Sequence, residues 1–234
     1  MKIKKIKVIN VDIPLDSNYS GSTYEVRKRC AIVTQIFTSD GLISEVFSGD
    51  DRFRGNQILN CIEKYFEPEL IGKDPSNIEE LWNHLFNKFI KDISSENREV
   101  LRGTFTKALS CIDFALWDLL GKSQGKPVID LLGRKKEKLK VSTIGGYYQE
   151  GKGEKEIIQE MEMYQNLGFK ACKFKVGKLN PEEDYKRVLA AKRNLSSDFD
   201  LMIDANCGYS LSQASEFADL IKDLNIRWFE EPCN

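Results

Sequence analysis

The alternation of apolar and polar positions predicts that the chain begins with strands. Ser39-Asp40-Gly41 is typical of the turn of a β-hairpin. Two polar stretches, residues 14–29 and 48–55, predict loops. The predicted strands are residues 2–13, 30–38 and 42–47. Together they indicate a three-stranded antiparallel meander.

Beyond residue 55 the apolar positions recur every three to four residues, which predicts helices. Asn77 is a candidate helix cap, and Gly121 is expected to end the longest helix. The predicted helical segments are residues 57–66, 78–90, 104–120 and 127–132. The basic run 134–138 predicts an exposed linker, so we expect one domain over residues 1–133 and a second over 138–234.

In the second domain, strand and helix patterns alternate. The predicted strands are residues 139–143, 169–176, 199–205 and 226–229, and the predicted helices 154–167, 181–195 and 210–224. A strand-to-strand step of about 25–30 residues is the length of one βα unit, which predicts a parallel α/β sheet. Four such units fit either half of a (β/α)8 barrel or a small doubly wound sheet.

Composition excludes several classes of protein. With 41% hydrophobic and 30% charged residues the chain is not a disordered one, and a net charge of −1 argues against a nucleic-acid partner. No apolar run approaches the roughly 20 residues of a membrane span, and no apolar stretch follows the basic N-terminus as in a signal peptide. The six cysteines contain no C-x-x-C pair and are typical of reduced thiols. We therefore expect a cytoplasmic protein without membrane contact.

Ionisable side chains occur where three successive strands of the second domain are predicted to end. Lys173 and Lys175 are two residues apart and so share one face, with about 7 Å between them along the strand. Asp204 ends the next predicted strand. Glu230 and Glu231 end the one after it. Active sites of α/β folds lie at the carboxyl ends of strands, so these groups are expected to meet.

Two carboxylates on neighbouring parallel strands would lie about 5–7 Å apart, within range of one Mg²⁺. A lysine facing them could remove a proton. Each motif also has a simpler interpretation: a lysine on a solvated edge, a turn at Asp204-Ala205-Asn206, or a solvated loop at Glu230–Pro232. The single histidine, His84, lies far upstream, and no Gly-x-Ser-x-Gly or Gly-x-Gly-x-x-Gly motif occurs.

Together these motifs resemble the mandelate racemase/muconate lactonizing branch of the enolase superfamily. The resemblance rests on Lys173-Phe174-Lys175, Ile203–Asn206 and Trp228–Pro232, and Ile112–Leu119 is similar to that branch's signature helix. It implies an N-terminal α+β capping domain followed by a modified TIM (β/α) barrel. It also implies a Mg²⁺ cofactor and abstraction of a proton α to the carboxylate of a small-molecule substrate.

The resemblance also implies roles for particular residues. Lys175 matches the catalytic base, and Lys173 matches a catalytic lysine that contacts the substrate carboxylate. Asp204 and Glu230 match metal ligands, and Asn206 and Glu231 match positions beside the metal or substrate. The predicted loops 15–29 and 48–55 match loops that close over the substrate.

The chain departs from the family pattern because a third carboxylate ligand and an acid/base on the opposite substrate face would follow Asn234. We therefore expect a truncated barrel, strands one to four only, that binds Mg²⁺ weakly and does not turn over alone. For the complete protein we expect a homo-oligomer acting on a hydroxy acid or acid sugar. Dehydration is preferred over racemisation or cycloisomerisation. The alternative is a non-catalytic paralogue acting as a binding or assembly module.

Overall fold

The computed structural model describes residues 1–49, 52–91 and 98–234. These residues form two compact units. The first unit combines Met1–Pro14 with Lys28–Glu137. The second combines Leu15–Arg27 with Lys138–Asn234. Within the described ranges, no helix is long and apolar enough to cross a bilayer.

A three-stranded sheet opens the chain, in the order β1 (Ile3–Ser20), β2 (Glu25–Thr38), β3 (Ile43–Gly49). Strands β2 and β3 are antiparallel, and their turn is closed by the Thr38 N–H donating to Leu42 O at 3.0 Å, as the hairpin prediction requires. The loop predicted over residues 14–29 is mostly wrong, because β1 runs to Ser20 and β2 begins at Glu25. The longer strand is explained by a tertiary contact. Ser20 and Tyr148, which both belong to the second unit, pair through two backbone hydrogen bonds. Asp50 and Asp51, in the predicted loop 48–55, lie outside the described residues.

Helices complete the first unit and share its core with the sheet. They are α1 (Gly55–Cys61), a π-helical segment (Ile62–Phe66), α2 (Glu67–Leu70), α3 (Ile78–Phe89), α4 (Arg98–Gln124) and α5 (Val128–Leu131). Buried side chains from both layers, among them Ile36, Ile58, Phe66, Leu85 and Leu116, form one cluster.

One predicted helix end is wrong, and one predicted cap stands at its expected position without a capping hydrogen bond. Helix α4 continues beyond Gly121 and ends at Gly125, whose φ of 63° suits a left-handed cap. Gly121 instead permits close packing, since a Cβ there would lie 2.8 Å from Lys126 O. Asn77 precedes α3, but its side chain makes no capping hydrogen bond and lies 3.4 Å from Glu80 Oε2.

The second unit is a four-stranded parallel sheet flanked by helices. Its elements are β4 (Thr143–Gly145), α6 (Glu154–Asn166), β5 (Ala171–Lys175), α7 (Pro181–Lys192), β6 (Asp200–Asp204), α8 (Leu211–Ile221) and β7 (Phe229–Glu230). The sheet order β4-β5-β6-β7 follows the chain, as in a barrel, whereas a doubly wound sheet reverses direction at a switch point. The predicted caps are confirmed: Asn180 Oδ1 accepts from Glu183 N at 2.9 Å and Ser210 Oγ accepts from Gln213 N at 3.3 Å.

Strand β4 begins four residues later than predicted. Leu139 and Val141, in the predicted strand, are 74% and 67% exposed and precede it. The core of this unit lies between the sheet and helices α6 to α8 and includes Phe174, Leu201 and Phe217. This core fixes the carboxyl ends of the strands, where the candidate residues lie.

Candidate metal and acid–base site

Three of the predicted residues are direct neighbours across the parallel sheet. Lys175 of β5 is in register with Asp204 of β6, which is in register with Glu230 of β7. Each is the last residue of its strand. The hydrogen bond from Ala205 N to Glu230 O, at 3.0 Å, continues the pairing of β6 and β7.

Both lysines reach the same carboxylate. The Lys175 ammonium donates to Asp204 Oδ2 and to Asn206 Oδ1, each at 2.8 Å. The Lys173 ammonium lies 2.9 Å from Asp204 Oδ2 and 2.9 Å from Glu230 Oε1. Lys175 and Asp204 are 4% and 1% exposed. The two like charges therefore lie on one buried face because a carboxylate pair on the next two strands neutralises them.

Asn206 links this group to the last predicted residue. Its Nδ2 donates to Glu231 Oε2 at 3.2 Å, and its backbone N–H donates to Asp204 Oδ1 at 3.0 Å. Trp228, which immediately precedes β7, donates its Nε1–H to Glu230 Oε2 at 3.2 Å and so orients that carboxylate. The structure thus places all six predicted residues in one connected cluster, while their roles stay a prediction.

The backbone is strained where the cluster is built. Asn206, Cys207 and Glu231 have φ values of 44°, 57° and 43°, in the left-handed region that favours glycine. Such residues cost about 1–3 kcal/mol each and concentrate at functional sites. Cys207 N donates to Glu231 O at 2.8 Å, so the two strained turns hold each other in place.

Residues near the start of the chain also contact the cluster. They belong to the stretch 15–29, which the sequence indicated only as a loop that closes over the substrate. The Ser22 hydroxyl donates to Ala205 O, and Thr23 Oγ1 donates to Asn206 O at 3.2 Å. The Tyr24 and Tyr147 rings lie 5.6 and 5.8 Å from Lys175 Nζ. Tyr147 lies two residues beyond the end of β4, and the strand predicted over residues 139–143 gave no signal for it.

The ion pairs set the charge state of two members. Burial raises the pKa of Asp204, but hydrogen bonds from Lys175, Lys173 and Asn206 outweigh it and leave the pKa below its usual value. Burial lowers the pKa of Lys173, but its bonds to Glu230 and Asp204 outweigh it and leave the pKa above its usual value. At neutral pH the Asp204 carboxylate is therefore ionised and the Lys173 amine is protonated.

The carboxylates fit a hard cation. Asp204 Oδ2 and Glu230 Oε1 already converge on one cation, the Lys173 ammonium, which is 2.9 Å from each. Carboxylate oxygens are the ligands that Mg²⁺ takes, with water and substrate oxygens at its other positions. Within the described part of the chain, no group of three or more His, Cys, Asp or Glu side chains could hold a metal ion, so this pair offers two protein ligands.

Family models match both parts of the chain. Residues 4–133 match the mandelate racemase/muconate lactonizing enzyme N-terminal domain, and residues 156–234 match the enolase C-terminal domain-like family. The chain belongs to the mandelate racemase/muconate lactonizing enzyme family. This confirms the α/β fold with an N-terminal capping domain and the parallel sheet of half a TIM barrel.

Family members of known activity are similar over most of the chain. Arabinonate dehydratase of Saccharolobus solfataricus is 34% identical over 86% of this chain and 52% of its own length. D-galactarolactone cycloisomerase of Agrobacterium fabrum is 31% identical over 99% of this chain and 59% of its own length.

Solved structures of the family are also similar. A family member from a marine actinobacterium, solved with magnesium, is 34% identical, with a TM-score of 0.82 over 100% of this chain and 60% of that one. The chain spans about half to three-fifths of the length of these relatives.

His84 is absent from the site, as expected from its position. It lies on α3 in the first unit, where its Nε2 is 2.8 Å from Glu69 Oε2. The His84 side chain is 44% exposed and pairs with the Glu69 carboxylate.

Proposed function

We propose that this chain carries the base and two metal ligands of a Mg²⁺-dependent enzyme that abstracts a proton α to the carboxylate of an acid sugar. In this proposal Lys175 is the base, Lys173 binds the substrate carboxylate, and Asp204 and Glu230 hold the metal. Asn206 and Glu231 contact substrate or orient the ligands. Dehydration of the acid sugar is the preferred outcome.

One observation carries the proposal: Lys175 Nζ lies 2.8 Å from Asp204 Oδ2, with both residues buried at the carboxyl ends of neighbouring parallel strands. A buried lysine whose partners are a metal-type carboxylate and an amide has no structural need for that position, since an apolar residue would pack there at lower cost. The same end of an α/β sheet is where such folds place their chemistry.

The residues of this chain divide the work by charge. The second lysine, Lys173, is protonated and keeps a positive charge where a substrate carboxylate would bind. Lys175 lies beside it. Once its ammonium has lost a proton to solvent, the neutral amine takes the α-proton of the substrate, and its bond to Asn206 fixes the direction of the amine. When bound to Asp204 and Glu230, Mg²⁺ supplies the positive charge that stabilises negative charge developing on the substrate carboxylate. The rings of Tyr24 and Tyr147 limit the access of water to the amine.

The relatives support an acid sugar as the substrate class. A dehydratase of arabinonate and a cycloisomerase of galactarolactone are both similar to this chain. Both names describe polyhydroxylated acids or their lactones. An acid-sugar substrate is therefore proposed for this protein as well.

Metal binding tests the ligand pair separately from catalysis. Mn²⁺, a paramagnetic substitute for Mg²⁺, is titrated and followed by electron paramagnetic resonance. Asp204→Asn and Glu230→Gln are each expected to raise the Kd at least tenfold. The matched control is Asp198→Asn, whose exposed carboxylate pairs only with Lys170 at 3.0 Å among described ion pairs, and it should leave the Kd unchanged. Equal Kd values in all four proteins would remove Asp204 and Glu230 as ligands.

Exchange of the substrate α-proton with D₂O tests the base. Galactarate, arabinonate and related acids are followed by NMR, with residues 1–234 and with any longer natural form of the protein. Exchange by an active form should be lost in Lys175→Ala and kept in Lys170→Ala. Exchange that survives Lys175→Ala would remove the lysine from this role, and silence of every natural form would favour the non-catalytic alternative.

A further inference from the structure

A buried carboxylate that the proposed chemistry does not use lies directly beneath the lysine strand. Asp184, on α7, is 0% exposed. Its Oδ1 accepts from Tyr148 OH at 2.6 Å and from Arg187 Nη1 at 2.8 Å. Its Oδ2 accepts from Tyr209 OH and Gly177 N, both at 2.8 Å, and from the Leu179 N–H at 3.3 Å. Five donors from four segments therefore converge on one side chain.

Arg187 extends this cluster to the base itself. Its Nη1 also donates to the backbone carbonyl of Lys175 at 3.0 Å, and its Nη2 donates to the carbonyl of Gly146 at 2.5 Å. The guanidinium carbon stacks 3.8 Å from the centre of the Tyr148 ring. One arginine thus bonds the last residue of β5 and the residue following β4.

The hydrogen bonds of Asp184 and Arg187 are concentrated at the strand ends and are not spread through the core. Lys175, Gly177 and Gly146 all belong to the carboxyl edge of the sheet, and Tyr209 belongs to the turn that follows Asp204 and Asn206. The tyrosine hydroxyls remain donors, because burial raises the pKa of both Tyr148 and Tyr209. A carboxylate that only anchored α7 to the sheet would have no need of partners on both sides of the base.

We propose that Asp184 and Arg187 are positioning residues for the proposed base: they fix the backbone at the end of β5 so that the Lys175 amine points at Asp204 and Asn206. This inference rests on the proposed role of Lys175. Neither residue touches the reacting atoms. Their effect is carried by the Lys175 carbonyl on one side and by the Gly177 N–H on the other.

Site-specific labelling of Lys175 tests the proposal without requiring catalysis. Each variant is treated with limiting acetic anhydride, and the labelling rate of Lys175 is measured by mass spectrometry against Lys170 in the same sample. In Asp184→Asn and Arg187→Lys, Lys175 should be released from its buried pairing and label at least fivefold faster, with Lys170 unchanged. Asp200→Asn is the matched control, since it breaks an ion pair of the same sheet, 3.1 Å from Arg227, away from this cluster. Rates within twofold of the parent in both folded variants would overturn the proposal.

Two further variants cover the case in which Asp184→Asn or Arg187→Lys loses its circular-dichroism signature. Tyr148→Phe and Tyr209→Phe each remove one hydrogen bond to Asp184 and keep the ring and the buried charge. Each should raise Lys175 labelling two- to threefold while the fold is retained, and no change in either would overturn the proposal. In any form that exchanges the α-proton, the variants should lower kcat at least tenfold and leave KM within twofold. Absence of exchange in the parent would count against the proposed function alone and leave the labelling result to decide this inference.

Discussion

Lys175 and Asp204 are paired twice, once as register partners on β5 and β6 and once through a 2.8 Å ion pair between their side chains. The carboxylate also neutralises Lys173, so one buried oxygen balances two ammonium groups. The energetic balance of the sheet edge therefore depends on Asp204.

Asp204→Asn is expected to destabilise the second unit by about 3 kcal/mol, because removing one partner leaves buried charge uncompensated. The free energy of unfolding is measured by urea denaturation. Asp200→Asn breaks an exposed ion pair one strand length away and should cost at most about 1 kcal/mol. Similar losses in the two variants would contradict this account.

Gly177→Ala is expected to cost at least about 2 kcal/mol. The residue has φ of 93°, and a Cβ there would lie 2.8 Å from the backbone oxygen of Ala205, so strain and collision add. Gly151→Ala is the matched control, since its φ is 74° but no atom lies within 4 Å of the added carbon. It should cost only the conformational strain of about 1 kcal/mol. Thermal unfolding of both variants separates the two contributions, and equal costs would show that the close approach is unimportant.

Asp113 gives the first unit a pH dependence of defined sign. Burial raises the pKa of this carboxyl, so the folded state binds its proton more tightly than the unfolded state. Stability from this group is present below the unfolded pKa, near 3.9, and is lost as pH rises through the higher folded pKa. Asp113→Asn should therefore be more stable than the parent at pH 7 and equal to it near pH 3.

Asp118→Asn on the same helix is the control, because that carboxylate pairs with Lys122 at 2.7 Å and its loss should lower stability slightly at pH 7. Stabilisation by both substitutions would point to net charge, not to the burial of Asp113.

The six thiols are expected to react in two groups. Burial raises the pKa of Cys61 and of Cys172 to about 12, so neither forms thiolate near neutral pH. Cys30 and Cys111 are also buried, whereas Cys207 and Cys233 are partly exposed. Iodoacetamide at pH 8 should label Cys207 and Cys233 in the folded protein and all six in urea. Early labelling of Cys61 or Cys172 would show that their units open more readily than this packing indicates.

The residues of the candidate site could be found from the sequence because their placement follows from local rules. A lysine at every second position of a strand shares a face, and strand ends of consecutive βα units meet at one edge. Lys173 and Lys175 satisfy the first rule, and Lys175, Asp204 and Glu230 satisfy the second. Their distances, and the sharing of one Asp204 oxygen, required the structure.

The elements that were missed depend on contacts distant in sequence. Residues 14–20 look like a polar loop, yet they are strand because Ser20 pairs with Tyr148, 128 positions away. Asp184 looks like an ordinary charge in the first turn of a helix, and only the fold shows five donors around it. Gly121 looks like a helix stop, but the backbone of Lys126 passes beside it. No periodicity within a window of the sequence encodes such encounters.

The consecutive order of β4 to β7 also bears on how the site forms. Lys175 and Asp204 are 29 positions apart and Lys173 and Glu230 are 57 apart, so the ion pairs of the cluster close loops of one and of two βα units. Because loop-closure entropy grows slowly with length, the longer loop costs only about 0.6 kcal/mol more than the shorter one. As each βα unit leaves the ribosome, its strand can add beside the previous one and bring the next charged group to the edge. The lysines emerge first, and the carboxylates that neutralise them arrive one strand at a time.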